Sequence, residues 1–349
     1  MVRNWPAMKV CLYLELEKLL SRSGIYSAFR NHLQALKTAG VEVTTDPQDR
    51  YDLLHLHWLG PKSLWYLRRA RKKGIPVVLH AHSIGSYDFA GGFTGTSLVA
   101  PLYERYLDRA YRLADALFVP SEFAKQMLSE RGLGAVFVVS NGIDLSRFRF
   151  SEEKRRIWRE RLGLERFTVY CSGNILLRKG VIDFIEVARA LPELAFVWFG
   201  QYWGPLGFHP RMYKALKRRP KNLLFPGFVR EPEGAYAACD LFFFPTYGEN
   251  QPLVVLEAAA LGRPLVLRDV PAFSELVHGV QCLKGATVEE FIAHIQRMAE
   301  EPACRRALSR EAYRWAMGHS LPEVGRRLAS LYRAVLEAGS AVEEESNVG

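Results

Sequence analysis

The stretch PTYGENQPLVVLEAAALGRPLV, Pro245–Val266, follows the apolar run LFFF and reads as strand, turn and helix. Gly248 and Pro252 bracket the turn, and Pro252 suits the first position of a helix running to Ala260. The chain from Asn250 through Gln251 and Pro252 to Leu253 then presents the N-terminal amides of that helix, a ready seat for a diphosphate. Glu249 before the helix and Glu257 within it, seven residues between them, can grip sugar and ribose hydroxyls from opposite sides. The competing reading is a helix-capping Glu249 and a solvated Glu257. A buried strand that feeds a helix N-terminus is the repeating unit of a doubly wound parallel sheet.

The same alternation extends in both directions. Upstream, strands are expected at Lys9–Leu14, Val41–Thr44, Tyr51–His57, Pro76–His82, Ala116–Pro120 and Ala135–Ser140. Helices are expected at Gly24–Ala39 and Ser63–Lys73, with another opened by Ser121 as N-cap. Residues 145–165 are charged and arginine-rich and break the rhythm. The pattern then restarts, with strands at Thr168–Ser172, Ala195–Phe199, Leu223–Phe225, Leu241–Phe244 and Pro264–Leu267. Helices are expected at Val181–Ala190, Arg211–Arg219, Gly234–Cys239, Pro252–Ala260 and Val288–Glu300. This predicts two α/β domains, 1–150 and 151–340, with the final helix able to pack back on the first. Two such halves place a ligand cleft at the carboxyl ends of both sheets. The acidic tail from Ala341 reads as frayed.

The 349 residues carry a net charge of +10. The excess is uneven: 20 Lys/Arg against 13 Asp/Glu over 1–150, 16 against 9 over 151–235, and 11 against 15 beyond. A basic front two-thirds suits an anionic partner, whether nucleotide, phospholipid surface or nucleic acid. No helix-turn-helix or zinc-finger pattern accompanies the basic segments, so nucleic acid is set aside. Five scattered cysteines without a CxxC pair read as buried free thiols of a reducing compartment. Met1–Pro6 is short and polar, no secretory leader is evident, and no apolar run approaches the roughly 20 residues of a spanning helix. The expectation is a cytoplasmic chain.

Further candidate chemistry lies in SGNILLRKGVIDFIEVA, residues 172–188. A strand ends at Gly173-Asn174, and Arg178-Lys179-Gly180 precede a helix. Two cations beside helix amides suit a pyrophosphate, against the plainer reading of a basic helix-capping loop. His82 ends the strand PVVLHAH, at the carboxyl edge where ligands bind, although a lone strand-end histidine is as readily structural. His55, His57 and His80 alternate on strand positions, and because a strand has period two His80 and His82 share one face and cannot both be core residues without partners. No HExxH or cysteine cluster suggests a metal. There is no GxGxxG for a dinucleotide and no DxD for a metal-held diphosphate. No cofactor is expected, and charge neutralisation falls to Arg, Lys and helix amides.

Taken in order along nearly the whole chain, the motifs resemble the retaining glycosyltransferases of family four, which have the two-Rossmann GT-B fold. The carrying segments are Gly24-Ile25, YDLLHLH, PVVLHAHS, ADALFVPSEFAKQML, VVSNGIDLSRF, RKG, VWFG, LLFPGFV and the Glu249–Glu257 stretch. Within that family, GPKSLWYLRRARKKG, HAHSIGSYDF, GTSLVAPL, DLFFFPTYGEN and LRDVPAF are most similar to bacterial diacylglycerol and glycosyl-diacylglycerol α-hexosyltransferases. The resemblance implies a UDP-sugar donor, a lipid-linked acceptor and α-hexosyl transfer with retention. It implies that Arg178 and Lys179 hold the diphosphate, Glu249 touches the hexose, and Glu257 the ribose. His82 would sit by the reacting sugar, Gly24 would approach the phosphate, and Gly227-Phe228-Val229 would border the base. Where many members carry Arg after the strand-end glycine, this chain has Asn174, and its early loop has a single Gly24 instead of a glycine pair. A polyprenyl-linked or soluble saccharide is the alternative acceptor.

Residues 61–73 combine Leu64, Trp65, Tyr66 and Leu67 with Arg68, Arg69, Arg71, Lys72 and Lys73. Aromatic and cationic side chains on one helix suit the interface of an anionic bilayer, so peripheral attachment at the inner face of the cell membrane is expected. The rival reading is a surface helix whose aromatic side faces the sheet.

Overall fold

The structure, a computed structural model, describes residues 8–89, 96–202, 204–207 and 209–347. The polar start Met1–Pro6 and the first residue of GTSLVAPL lie outside the described residues. The first half runs β1 (Lys9–Tyr13), α1 (Glu17–Leu20), α2 (Gly24–Thr38), β2 (Glu42–Thr44), β3 (Leu53–Leu56), α3 (Pro61–Lys72), β4 (Val77–His80), α4 (Thr96–Tyr111), β5 (Ala116–Val119), α5 (Glu122–Ser129) and β6 (Val136–Val138). The second runs α6 (Glu152–Leu162), β7 (Thr168–Ser172), α7 (Val181–Ala190), β8 (Ala195–Phe199), α8 (Pro210–Lys217), β9 (Leu223–Gly227), α9 (Pro232–Ala237), β10 (Leu241–Phe244), α10 (Leu253–Ala260), β11 (Leu265–Arg268), β12 (Leu283–Gly285), α11 (Val288–Glu300), α12 (Pro302–Met317) and α13 (Leu321–Asn347).

The chain forms two compact units. The first comprises 1–85, 101–142 and 319–349, the second 86–100 and 143–318. The first holds a parallel sheet of order β2-β1-β3-β4-β5-β6. Its central strands are buried on both faces and are apolar apart from His55 and His80. The amphipathic α2 is capped by Ser23, whose side chain accepts from Tyr26 N. It packs with Leu321, Val324, Leu328 and Tyr332 of α13 over Val10, Leu12 and Phe118. The helix α13 runs on to Asn347, where the sequence suggested a frayed tail.

The second unit holds a parallel sheet of order β12-β11-β10-β7-β8-β9. Phe184 of α7 stacks on Phe243 (5.5 Å between centroids) and meets Phe196 and Trp198 edge-on. Each fully buried aromatic side chain contributes about 1.5–3 kcal/mol. Three neighbouring strands, β7, β8 and β9, lead into or end on glycines in the left-handed region: Gly173 (φ 148°), Gly200 (154°) and Gly227 (85°). Gly173 N donates to Phe199 O, and Gly200 N to Gly227 O, each at 2.9 Å. Together they leave a carboxyl edge free of side chains, where a ligand can reach the backbone.

Candidate active site

Two loops of the second unit meet at that carboxyl edge. The RKG loop turns as a short 3₁₀ segment, Leu177–Lys179, and Gly180 (φ 75°) starts α7. The Thr246–Pro252 turn leads from β10 into α10. A Cβ on Gly180 would lie 2.1 Å from Pro245 O, so only glycine permits this approach. The loops are laced by Tyr247 N donating to Arg178 O (2.8 Å) and by the Arg178 guanidinium donating to Gly248 O (2.6 Å). Lys179 and Glu249 form an ion pair, and Thr246 Oγ1 donates to the same Glu249 oxygen at 2.9 Å. Both partners are largely shielded from solvent, with side-chain exposures of 15% and 9%. The Arg178 Nε is buried without a hydrogen-bond partner, so this cation retains donor capacity for a ligand.

Pro252 stands at the N-cap of α10, one position ahead of the first-helical position expected from the sequence. No side chain caps this helix, and its first amides remain open to an anion. Asn250 Nδ2 reaches Asp88 Oδ1 at 3.3 Å within the same unit. Gln251 and Leu253 follow in the turn. Asn174 lies half-buried beside Gly173, and Phe228 and Val229 follow Gly227 at the end of β9, Phe228 exposed.

Beneath the turn, Arg268 of β11 pairs with Asp183 and donates to Pro245 O at 3.0 Å. Its guanidinium lies 4.0 Å from the centre of the Tyr247 ring, and Tyr247 OH donates to Asp183 at 2.7 Å. Sequence reasoning missed this brace. Its signal was a lone Arg ending an otherwise apolar strand.

Glu257 sits in the middle of α10, half-buried, and desolvation raises its pKa from 4.5 to about 7, against the lowering influence of Arg147. A folded-state pKa above the unfolded value stabilises the fold fully below 4.5, and that contribution is lost as pH rises through 7. Glu257→Gln is therefore expected to match wild type in stability near pH 5 and to exceed it at pH 8–9. The full shift is worth ~3.4 kcal/mol at about 1.4 kcal/mol per pH unit. Partial exposure reduces this to about 1–2 kcal/mol. Thermal unfolding of both proteins across that range is the check, and a pH-independent difference would remove the cause assigned here.

In the first unit, Gly24 opens α2 with an ordinary backbone conformation, and a Cβ there would meet nothing within 4 Å. His82 follows β4, and burial, with His32 nearby, holds its pKa down at about 3. Its Nε2 lies 3.1 Å from His57 Nδ1. Of the two histidines on this strand face only His80 is buried without a partner, 4% exposed with neither ring nitrogen bonded, whereas His82 is half-buried and partnered by His57, as the strand period required. On α3, Ser63, Leu67 and Ala70 face inward, and Tyr66 packs edge-on against Tyr13 of β1. Trp65 is 54% exposed with the Arg69 guanidinium 5.2 Å from its ring centre. Half of the aromatic side thus faces the sheet and half faces water. Glu15 accepts from Lys62 N and Ser63 N, tying the exposed Leu16 and Leu19 to the start of this helix. Among the described residues, no helix is long and apolar enough to cross a membrane.

Two parallel doubly wound sheets are the architecture of GT-B glycosyltransferases. The chain belongs to the family-four glycosyltransferases. Residues 17–147 match the family described as Glycosyltransferase Family 4, and residues 166–301 that described as Glycosyl transferases group 1. It is 34% identical to the processive diacylglycerol alpha-glucosyltransferase of Acholeplasma laidlawii, over 95% of this chain and 99% of that one. It is 29% identical to the alpha-galactosylglucosyldiacylglycerol synthase of Streptococcus pneumoniae, over 73% and 71% of the two chains. The fold matches the Anabaena protein HepE in complex with UDP-glucose at a TM-score of 0.73 and 19% identity, over 94% of this chain and all of that one. The chain is an enzyme of glycosyl transfer.

Proposed function

We propose that this enzyme transfers a hexose, with retention, from a UDP-sugar to diacylglycerol or a monohexosyl-diacylglycerol at an anionic, cytoplasm-facing membrane surface. The observation that carries the reading is the laced pair of loops, which sets Arg178, Lys179 and the open end of α10 together beside a glycine edge. The activities of the two lipid-glycosylating relatives support the acceptor class.

In this reading Arg178, Lys179 and the amides of Leu253 and its neighbours receive the diphosphate. Its negative charge grows as the glycosidic bond breaks, so fixed cations and amides favour the transition state over the ground state. Glu249, held by Lys179 and Thr246, orients a hexose hydroxyl. Glu257 accepts from the ribose, and Gly227-Phe228-Val229 border the base. The acceptor hydroxyl attacks from the face the diphosphate leaves, and a departing phosphate oxygen takes its proton. His82, neutral and at the carboxyl edge of the first sheet, is assigned to the reacting sugar. No step here draws on magnesium or manganese, and adding either is expected to leave the rate unchanged.

For the membrane, α3 supplies an outward Trp65 among Arg68, Arg69, Lys72 and Lys73, all exposed, with Leu16 and Leu19 tied to its start. The test is incubation with labelled UDP-glucose or UDP-galactose and vesicles containing diacylglycerol, with products identified by mass. Hexosyl-diacylglycerol is expected only from anionic vesicles, with binding that fades as salt rises. A variant with Arg68, Arg69, Lys72 and Lys73 changed to Ser should bind such vesicles about 10²–10³-fold more weakly, at about 1 kcal/mol per basic residue with some discount for distance. Transfer to a soluble saccharide without any vesicle requirement would instead establish the alternative acceptor.

A further inference from the structure

Beneath α2, five histidines gather in the interior of the first unit. His55 and His57 come from the end of β3, His80 and His82 from the end of β4, and His32 from the buried face of α2. The β3–β4 register, Leu54 with Val77 and Leu56 with Leu79, continues to set His57 level with His80. Their rings are parallel within 8° at 5.0 Å, and the His32 ring stands 5.1 Å from the first and 4.8 Å from the second. His32, His55 and His57 are fully buried.

Hydrogen bonding decides which nitrogens carry lone pairs. His32 Nε2 lies 2.8 Å from the carbonyl oxygen of Ser140, so Nε2 donates and Nδ1 is a bare lone pair. That Nδ1, His57 Nε2 and both nitrogens of His80 are buried without a partner. Each such atom costs about 1–3 kcal/mol if nothing satisfies it. Four of them converging in a domain interior is a concentrated deficit that a structural core has no reason to keep. One ring nitrogen from each of His32, His57 and His80 lies within 4.8 Å of the others. Metal–nitrogen bonds of 2.0–2.1 Å in a tetrahedron set donors about 3.4 Å apart, so metal binding asks for a closure of up to about 1.4 Å, within the reach of ring rotation. The Ser140 carbonyl already plays the outer-shell part, accepting the second N–H of a ligating imidazole and fixing its tautomer.

We propose that His32, His57 and His80 bind a divalent transition-metal ion of the zinc class, within the first unit. Imidazole nitrogens select such ions over magnesium or calcium. The ion joins α2 to the carboxyl ends of β3 and β4. It also sets a neighbour: with the metal on His57 Nε2, the proton of that ring sits on Nδ1 and is donated to His82 Nε2, 3.1 Å away. His82 then carries its own proton on Nδ1. The ion is a positioning element, and it is independent of the donor assignment above.

The test uses the full chain, expressed without a histidine tag and loaded with Zn(II) or Co(II). Close to one equivalent is expected to survive gel filtration, the Co(II) form should show d–d absorption of nitrogen ligation, and metal should raise the thermal midpoint by about 5 °C or more. His32→Gln should retain its helix content and lose metal affinity by at least about 100-fold. The pair His278, exposed, and His294, half-buried, whose rings lie 5.6 Å apart, serves as control, and changing both to Gln should leave the metal bound. Loss of the metal in that control, undiminished binding by His32→Gln, or no bound metal in wild type would each overturn the proposal. Should His32→Gln misfold, the wild-type Co(II) protein decides, because three paramagnetically shifted imidazoles are required and fewer would refute the site. None of these measurements involves the sugar donor, so their failure leaves the transferase reading intact.

Discussion

Lys179→Ala is expected to lower kcat/KM for the sugar donor by about 10²–10³-fold, equivalent to roughly 2.7–4 kcal/mol of lost transition-state stabilisation. Lys179 reaches the carboxylate of Glu249 and lies 5.4 Å from the Phe244 ring centre, so a partly buried cation is fixed before any substrate arrives. A preorganised charge of this kind needs no reorganisation when negative charge develops on the diphosphate. The fold should survive, because Glu249 keeps its bond from Thr246 and the loops keep both Arg178 contacts. Part of the measured loss will come from Glu249, whose carboxylate is left without its counter-charge. Lys179→Ala combined with Glu249→Gln separates the two: coupling between them should exceed about 0.5 kcal/mol for groups in direct contact. UDP affinity by calorimetry and steady-state kinetics are the measurements. Unchanged UDP binding together with unchanged kcat/KM would remove Lys179 from the donor site.

Gly200→Ala is expected to be the most damaging single substitution to the second unit. Gly200 follows β8 at φ 154°, a conformation that L side chains rarely adopt. A Cβ there would lie 1.8 Å from Gly173 O and 2.7 Å from Gly173 C. Both are backbone atoms, in a segment bonded to Phe199 O and to the Trp198 indole, which donates to Gly173 O at 2.9 Å. No flexible side chain can move aside, so β7 and β8 must separate at their carboxyl edge. Strain and lost sheet bonds together should cost more than about 4 kcal/mol, a large share of the roughly 5–15 kcal/mol that holds a domain folded. The thermal midpoint should fall by about 10 °C or more. Gly24→Ala is the matching control: its Cβ meets open space at a helix start, and stability should stay within about 1 kcal/mol of wild type. Equal midpoints for Gly200→Ala and wild type would show that the edge is plastic.

Much of the architecture was legible along the chain, and for a definite reason. β7, β8, β10, α7 and α11 fall where the residue pattern placed them, because strands buried on both faces must be unbroken apolar runs and an amphipathic helix must repeat every 3.6 residues. α4, with Pro101 in its interior, and β12, only three residues long, carry no such signal and escaped. The two loops that bring Arg178, Lys179 and Glu249 together were legible as well, since a glycine turn into a helix and a pair of cations are local features. The Arg178–Gly248 and Lys179–Glu249 contacts, and the Arg268–Asp183–Tyr247 brace under them, join residues 64 to 85 positions apart. Which cation meets which carboxylate depends on the order of strands in the sheet, and no local pattern encodes that order.

The histidines mark the boundary most sharply. The spacing HLH and HAH determined by itself that His55 and His57 share a strand face and that His80 and His82 share another, because the side-chain period of a strand is two. That β3 and β4 are neighbours in matching register, and that α2 lays His32 over both, was decided only in three dimensions. His32 stands alone in its helix, with no second histidine at helical spacing to flag it. Its Nδ1 becomes an available ligand solely because folding brings the Ser140 carbonyl, 108 residues away, to the other side of the ring. Chain chemistry supplied the donors, and packing supplied their convergence and their protonation.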